Sequence, residues 1–340
     1  MIFQLVFATA LLLSFGLTPL AARFAIRTGA VDQPAPRRVH DKPMPRFGGL
    51  SIFVAFVAAI GVSLFYPRTD PNEMTRLAGL LTLTVLVFVV GAYDDYREMK
   101  PLPQLVVQLV AAGIAVASGV LIREIPNPLG GLPLPFEPWF AVLFTLFWLV
   151  GTMNTINWLD GIDGLAGGVV VIASAVLFIH TFRLEQYSLA LLALALAGTV
   201  LGFLPFNFYP ARIFLGSAGA NVLGFALGIL SIIGGAKVAT ALLVLGIPIL
   251  DVAWQIFHRL REHKSPFTAD RGHLHHRLLD LGLSQRTIVI LYYAFTAIFG
   301  GLALYLPSAT YKSIALVVIG AGALLVLITL GHRKQPPPTE

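Results

Sequence analysis

Four aspartates of this sequence stand where apolar runs end. Asp94 and Asp95 close one run in VVGAYDDYREMK, and Asp160 and Asp163 lie in NTINWLDGIDGLAGG, between two further runs. An ionised carboxylate beside apolar surroundings is costly unless it has a partner. Mg²⁺ is such a partner, because it prefers oxygen ligands and commonly binds one or two carboxylates together with substrate phosphates. The four acids therefore predict a divalent-cation site that faces a phosphorylated substrate.

The second pair belongs to a regular series. Asn157, Asp160 and Asp163 are spaced i, i+3, i+6, which would place them on one face of a helix. Gly161 and Gly164 make a tight break between two helices an equal alternative. A solvated turn without chemistry stays open as well.

Basic side chains near the first pair have two interpretations. Arg97 and Lys100 could simply pair with the aspartates among solvated headgroups. Upstream, His40 and Lys42 in VHDKPMPRFGG could anchor the chain at the interface or contact a lipid phosphate.

Histidines cluster in the segment HKSPFTADRGHLHHRLLDLGLSQR. His273, His275 and His276 follow Arg271 closely. The spacing alone permits a zinc site, an exposed turn before an amphipathic segment, or a cationic pocket for phosphate oxygens. Asp251, inside a preceding apolar run, could make a helix-packing hydrogen bond or line the same site. Carboxylates and a basic segment together favour phosphoryl transfer, whose catalysis is mostly positioning and charge neutralisation.

Composition shows what must position these residues. Of 340 residues, 57% are hydrophobic and only 12% charged, and the mean hydropathy is +0.82. A polytopic membrane protein follows, and an all-α helical bundle, because lipid offers no partners for backbone polar groups. No cysteine is present, which excludes disulfides, thiol nucleophiles and cysteine-ligated metals. Eleven apolar runs predict about eleven transmembrane helices, at about 2–20, 48–66, 77–93, 104–122, 138–157, 164–182, 188–206, 213–233, 238–257, 287–306 and 311–331. The eighth run is polar at one end and rich in small residues.

The distribution of basic residues predicts the orientation. With eleven spans, 17 of the 23 Lys and Arg fall on one face, which predicts an external amino terminus and a cytoplasmic carboxyl terminus. The formal net charge of +6 then reflects anionic lipid rather than nucleic acid. We expect one membrane domain over 1–332, with its active-site loops in the cytoplasm, and a disordered tail over 333–340.

Five ordered motifs resemble a known family. VHDKPMPRFGGL, GAYDDY, NTINWLDGIDGLAGG, FNFYPARIFLG and DRGHLHHRLLDLGLS are similar, in sequence and in order, to motifs of the polyprenyl-phosphate N-acetylhexosamine-1-phosphate transferases. The pattern looks most like the bacterial undecaprenyl-phosphate branch, of glycosyltransferase family 4 type, that starts lipopolysaccharide O-antigen or teichoic-acid linkage units. The resemblance covers residues from about 37 to 286.

The resemblance implies a reaction, a place and site residues. The reaction joins a cytoplasmic UDP-N-acetylhexosamine, most simply UDP-GlcNAc, to undecaprenyl phosphate and releases UMP, with Mg²⁺ or Mn²⁺. The place is the bacterial cytoplasmic membrane, and the family pattern suggests a homodimer. Catalytic residues would be Asp94, Asp95, Asp160 and Asp163, with Asp94, Asp95, Asp163 and Ser217 at the metal. The nucleotide sugar would contact Asn154, Asn157, Asn207, Arg271, His273, His275 and His276, and the lipid phosphate His40, Lys42 and Lys100.

One position departs from the family pattern. Relatives place an aspartate that binds magnesium where RIFLGSAGANVLGF has Ser217, and a hydroxyl cannot replace a carboxylate's charge at a hard cation. A catalytically weakened or silent relative is therefore an alternative to an active transferase. A secondary transporter is a third possibility, because buried acids and glycine-broken helices are typical of transporters too.

Overall fold

The computed structural model describes residues 1–34, 42–68, 70–127, 129–233, 238–265, 272–306 and 308–331. As predicted, the chain is all-helical, with 76% of it in helices. The helices are α1 Ile2–Thr28, α2 Gly48–Ser63, α3 Glu73–Arg97, α4 Pro101–Ala117, α5 Pro138–Leu159, α6 Leu165–Arg183, α7 Tyr187–Asn207, α8 Gly216–Ile232, α9 Val238–Val244, α10 Gly246–Arg261, α11 Leu274–Asp280, α12 Gln285–Tyr305 and α13 Ala309–Gly331. Two antiparallel pairs of two-residue strands join them, β1 Val31–Asp32 with β2 Met44–Pro45, and β3 Glu124–Ile125 with β4 Leu134–Pro135.

Within the described ranges, six helices are long and apolar enough to cross a membrane. They are α1, α3, α5, α6, α7 and α12, and α9 with α10 would make a seventh if the bent pair is one span. The shorter apolar helices α2, α4, α8 and part of α13 coincide with the other predicted runs. A multi-pass membrane protein is thus supported, whereas eleven spans and the orientation of the termini stay predictions.

The ninth apolar run is not the continuous helix that its length predicts. The chain breaks at Leu245, and α9 and α10 meet at an angle of 79°. Pro248 explains the break, because it has no N–H to donate to the carbonyl of Val244 and its ring clashes with that turn.

The eighth run, which is polar at one end and rich in small residues, forms the centre of the bundle. Every residue of α8 is buried except Ser217, and α8 contacts α2, α3, α5, α6, α7 and α9. Its small residues serve close packing rather than contact with lipid. A Cβ on Gly224 would lie 2.6 Å from the Met153 Cα of α5, and one on Gly228 would lie 2.5 Å from Thr152 Oγ1. Small residues at such crossings allow helix backbones to approach closely.

The start of α8 is fixed by two other elements. The first N–H groups of α2, on Gly48 and Gly49, donate to the carbonyls of Phe214 and Leu215 at 3.0 and 2.9 Å. The N–H of Phe214 in turn donates to the Pro45 carbonyl of β2 at 2.8 Å. The segments before α2 and before α8 therefore form one hydrogen-bonded unit at this end of the bundle.

A glycine-to-alanine pair tests this packing. A Cβ on Gly91 would lie 2.5 Å from the Ala218 Cα, whereas one on Gly113 meets nothing within 4 Å. Because backbone atoms cannot move aside cheaply, we expect Gly91→Ala to lower the free energy of unfolding by about 2 kcal/mol. Gly113→Ala should leave it unchanged or raise it slightly. Denaturant unfolding in detergent measures both, and equal stabilities would contradict the packing described.

Candidate active site

The first aspartate pair divides its contacts at the end of α3. The Asp95 carboxylate accepts hydrogen bonds from the N–H groups of Ser217, at 2.7 Å, and Ala218, at 3.1 Å. It therefore caps α8, which has no side-chain cap of its own. Asp94 accepts from the N–H of Met99 at 2.7 Å and closes the turn that follows α3. Both aspartates are buried.

Close approach of Asp95 to α8 depends on a glycine. Gly216 has a φ of +74°, and a Cβ there would lie 2.6 Å from Asp95 Oδ2 and 2.4 Å from the carbonyl oxygen of Arg46. A side chain at this position would be strained and would push the carboxylate away from the helix.

Arg46 supplies the cation for this corner of the site, and the sequence analysis missed it. Its guanidinium lies 3.9 Å from Asp95, 3.2 Å from Asp32 and 3.3 Å from Glu98. Arg97, the expected partner, instead lies over the Tyr96 ring. The only signal for Arg46 was its position within VHDKPMPRFGGL, immediately before α2.

The second aspartate pair lies in a tight turn between two helices, which was one of the three predicted alternatives. Helix α5 ends at Leu159, Asp160 occupies its C-cap, and Gly164, with a φ of +79°, precedes α6. Asp163 accepts a hydrogen bond from the N–H of Ala211 at 2.9 Å. The helical i, i+3, i+6 face therefore ends at Asn157. We refer to residues 160–164 as the aspartate turn.

Asn207 holds the aspartate turn from behind. Its Oδ1 accepts from the N–H of Gly164 at 3.2 Å, and its Nδ2 donates to the carbonyl of Ile213 at 3.0 Å. Tyr293 donates its hydroxyl to the carbonyl of Gly164 at 2.6 Å. With both polar atoms bonded to the backbone, buried Asn207 orders the turn in this structure.

The acids of the two helices share one electrostatic environment. Burial, and then the negative charge of Asp95, raise the pKa of the Asp160 carboxyl well above its usual value, against the opposing effect of Arg46. Asp163 adds a smaller upward effect. A positive charge close to Asp160 would therefore favour its ionised form.

Amide side chains inside the bundle link α5 to the start of α8. Asn154 donates to Gln108 at 2.7 Å, Gln108 donates to Asn221 at 3.0 Å, and Asn221 donates to the Ser217 carbonyl at 2.9 Å. The predicted site residue Asn154 is thus connected to the start of α8 through two amides that the sequence analysis did not assign. Their signal was present, since amides within apolar runs are seldom there without a partner.

The histidine segment, residues 272–280, is docked on the aspartate turn. His275 is 1% exposed, and a Cβ on Gly161 would lie 2.4 Å from its Nε2. Burial lowers the pKa of His275 well below its usual value, with smaller effects of His276 and His273, so the ring is neutral. Neither ring nitrogen of His275 has a hydrogen-bond partner among the described residues.

Three other predicted residues lie at least partly at the surface. Lys42 and Lys100 are exposed at this end of the bundle, Lys100 at the N-cap of α4. Asn157 is partly exposed on the last turn of α5. His40, Arg271 and the predicted tail 333–340 lie outside the described residues.

The donor set suits a hard cation only together with a further ligand. In the described part of the chain, no three His, Asp or Glu side chains form a metal-binding group by themselves. Mg²⁺ keeps several waters and is often held by one or two carboxylates with substrate phosphates, so Asp160 and Asp163 fit it if a phosphate completes the set.

Comparison with known proteins identifies the family. Glycosyl transferase family 4 matches residues 77–235. A probable undecaprenyl-phosphate N-acetylglucosaminyl 1-phosphate transferase of Bacillus subtilis is 37% identical, over 89% of this chain and 85% of the relative. A decaprenyl-phosphate N-acetylglucosaminephosphotransferase of Mycobacterium tuberculosis is 31% identical, over 99% and 92%. An undecaprenyl-phosphate alpha-N-acetylglucosaminyl 1-phosphate transferase of Salmonella typhi is 30% identical, over 83% and 78%. The chain belongs to the polyprenyl-phosphate hexosamine-1-phosphate transferase family.

For this transferase, the family match begins in α3 and ends just after α8. It contains all four aspartates and Ser217, whereas Arg46 and the histidine segment lie outside it. The parts of the site outside the family match are thus Arg46, which directly follows β2, and the histidine segment, most of which is α11.

Removal of Arg46 tests its role at Asp95. Because Arg46→Gln leaves a buried carboxylate without its cation, we expect it to lower the free energy of unfolding by about 2 kcal/mol. Arg97 is exposed at the end of α3, the helix that carries Asp95, so Arg97→Gln should change the free energy of unfolding little.

The double variant Arg46→Gln with Asp95→Asn separates charge from packing. If Arg46 compensates the Asp95 charge, the double variant should lose less than the sum of the single losses. Strictly additive losses in denaturant unfolding would contradict this role.

Proposed function

We propose that the chain transfers an N-acetylhexosamine-1-phosphate, most simply GlcNAc-1-phosphate, from its UDP-sugar to undecaprenyl phosphate and releases UMP. Family membership supports the reaction class, and the names of the relatives support the lipid acceptor and the GlcNAc group. One observation carries the proposal for this chain. The acids of α3 and of the aspartate turn meet at the start of α8, and the histidine segment docks on that turn through Gly161.

The chemistry exchanges one phosphoanhydride for another. An oxygen of the lipid phosphate attacks the β-phosphorus of the UDP-sugar, the bond to the α-phosphate oxygen breaks, and UMP leaves with that oxygen. No net proton needs to move, so the protein's task is to align two anions and to neutralise their charge.

Asp160 and Asp163 are the residues that would hold Mg²⁺, with Asp94 and Asp95 beside them. Bound Mg²⁺ would supply positive charge to the diphosphate and to the departing UMP. Both oxygens of Asp95 accept hydrogen bonds from N–H groups of α8. Asp95 therefore fixes that helix and adds to the negative charge of the acid cluster, which consists of Asp94, Asp95, Asp160 and Asp163. Asn157 and the histidine segment would contact the nucleotide sugar. Lys42 and Lys100 are exposed cations suited to the lipid phosphate.

We place the active site on the cytoplasmic face of a bacterial membrane, because the distribution of basic residues predicts that this end of the bundle faces the cytoplasm. A homodimer is part of the same proposal. A secondary transporter fits less well, because the charged groups gather at one end of the helices rather than midway along corresponding halves.

A catalytically weakened relative is the second candidate, and Ser217 favours it. Ser217 lies in the first turn of α8, and its N–H holds Asp95. The Ser217 hydroxyl adds no negative charge to the acid cluster, so the affinity for a divalent cation should be lower than with an aspartate at position 217.

A UMP-release assay tests the reaction. Purified chain in detergent receives undecaprenyl phosphate and, separately, UDP-GlcNAc, UDP-GalNAc or UDP-glucose. We expect UMP only when lipid phosphate, a UDP-N-acetylhexosamine and Mg²⁺ or Mn²⁺ are all present. No release from any donor, by the chain or by its Ser217→Asp variant, would overturn the proposed transfer.

Removal of single carboxylates should stop turnover without unfolding the chain. We expect Asp94→Asn, Asp95→Asn and Asp163→Asn each to lower kcat by more than about 100-fold, because each changes the charge available during phosphoryl transfer. Turnover is measured in the chain as written and with Ser217→Asp, beside a melting curve. Full activity in EDTA, or near-normal rates in all three variants, would contradict the prediction.

Restoring an acid at position 217 tests the second candidate. We expect Ser217→Asp to raise turnover strongly and to make the melting temperature depend more steeply on Mg²⁺, because a carboxylate adds both a ligand and repulsion that the cation relieves. Ser217→Asn, of the same shape without charge, is the matched control. Equal rates for Ser217→Asp and the unchanged chain at saturating Mg²⁺ would show that the other four acids suffice.

A further inference from the structure

Asp251 is a buried carboxylate that the proposed reaction does not yet use. It lies in the second turn of α10, the helix that follows the break at Leu245, and is 3% exposed. A buried carboxylate is retained only where hydrogen bonds or charges compensate its lost hydration. Its partners therefore indicate what it does.

Both carboxylate oxygens of Asp251 contact the start of the histidine segment. Oδ2 lies 3.0 Å from His273 Nδ1, and Oδ1 accepts from the N–H of Leu274 at 2.8 Å. Helix α11 has no side-chain cap of its own, since its N-cap residue is His273. Asp251 thus caps α11 from another helix and orients the ring at its first turn.

The contact also selects the tautomer of His273. An ionised carboxylate only accepts hydrogen bonds, so Nδ1 must carry the proton that it shares with Asp251. Nε2 of the neutral ring is then an acceptor, so its partner must be a hydrogen-bond donor. Two neighbouring rings limit tilting, because the His273 ring lies 5.7 Å from the Trp158 ring and 5.7 Å from the His275 ring, with an interplanar angle of 7° to the latter.

The same segment is held at further points. Arg277 donates to the carbonyl of Gly272 at 2.6 Å, and Gln255, one turn after Asp251, donates to the same carbonyl. His275 packs on Gly161 of the aspartate turn. The segment therefore joins α10 to the acid cluster, with His273 between the two anchors.

We propose that Asp251 is a positioning residue that acts through His273, holding the ring in the Nδ1–H tautomer and in one orientation, so that Nε2 accepts a hydrogen bond from a hydroxyl or amide N–H of the nucleotide sugar. The identity of that ligand rests on the proposed function. Neutral, buried His275 then serves to dock the segment on the aspartate turn, and His273 is the histidine that meets the ligand.

A tautomer measurement tests the positioning without any reaction. In Asp251→Asn, the amide oxygen can still accept from Leu274, which turns the amide NH₂ towards His273 and forces Nδ1 to become an acceptor. We expect ¹⁵N shifts of labelled histidine, assigned with His273→Ala, to change from Nδ1–H in the chain to Nε2–H in Asp251→Asn. An unchanged His273 tautomer would overturn the proposal.

A double-mutant cycle on UDP-GlcNAc binding tests the consequence. We expect Asp251→Asn and His273→Ala each to weaken binding about tenfold, as loss of an orienting partner commonly does. The double variant should bind no more weakly than His273→Ala alone. Asp280→Asn, at the exposed end of the same helix, is the control and should bind normally.

The outcomes separate this proposal from the proposed function. Additive losses, or a normal affinity in Asp251→Asn, would show that Asp251 serves packing only and would overturn the positioning role. No UDP-GlcNAc binding by the unchanged chain, together with the tautomer change in Asp251→Asn, would overturn the proposed function and leave Asp251 as the residue that sets His273.

Discussion

The carboxylate of Asp95 on the first N–H groups of α8 is the contact on which the site depends. Each helix start leaves N–H groups without partners, and a carboxylate there is stabilised both by hydrogen bonds and by the helix dipole. Here the carboxylate comes from α3, so one contact fixes two helices relative to each other. Gly216 makes the approach possible, and Arg46 offsets the charge. The same corner carries Ser217, where the family pattern of the sequence analysis predicts an aspartate.

Packing along α8 explains why a site of acids can exist at one end of an apolar bundle. Glycines at its crossings with α2, α3 and α5 bring backbones together, which leaves little freedom for the helix ends. The aspartate turn is held likewise by Asn207 and Tyr293, which bond to the backbone of Gly164. The polar groups that could bind a substrate are therefore held by groups that bond to the backbone. Preorganisation of this kind is what phosphoryl transfer requires.

Much of this arrangement could be predicted from the sequence, and the limits are physical. Apolar runs predicted the helices, because lipid leaves the backbone no other solution. The spacing of glycines allowed the turn at Asp160. Arg46 and Asp251 could not be assigned, since their partners lie 49 and 22 residues away and depend on how helices pack. The break at Leu245 was missed because hydropathy does not register that Pro248 removes one hydrogen bond. The eighth run is polar at one end and rich in small residues, and the same small residues let α8 pack at the centre of the bundle.

The charges around Asp160 determine what a change of residue at position 217 would do. Burial and the charges of Asp95 and Asp163 raise the pKa of Asp160, whereas the charge of Arg46 and a hydrogen bond from the Gly216 backbone lower it. A further carboxylate in the first turn of α8 would gain from the helix dipole but would add repulsion that only a bound cation could offset. Serine removes that repulsion and one ligand in the same step. On the proposed function, the acid cluster is then more stable without a cation and binds a divalent cation more weakly. Stability without the cation and affinity for it therefore change in opposite directions at a single side chain.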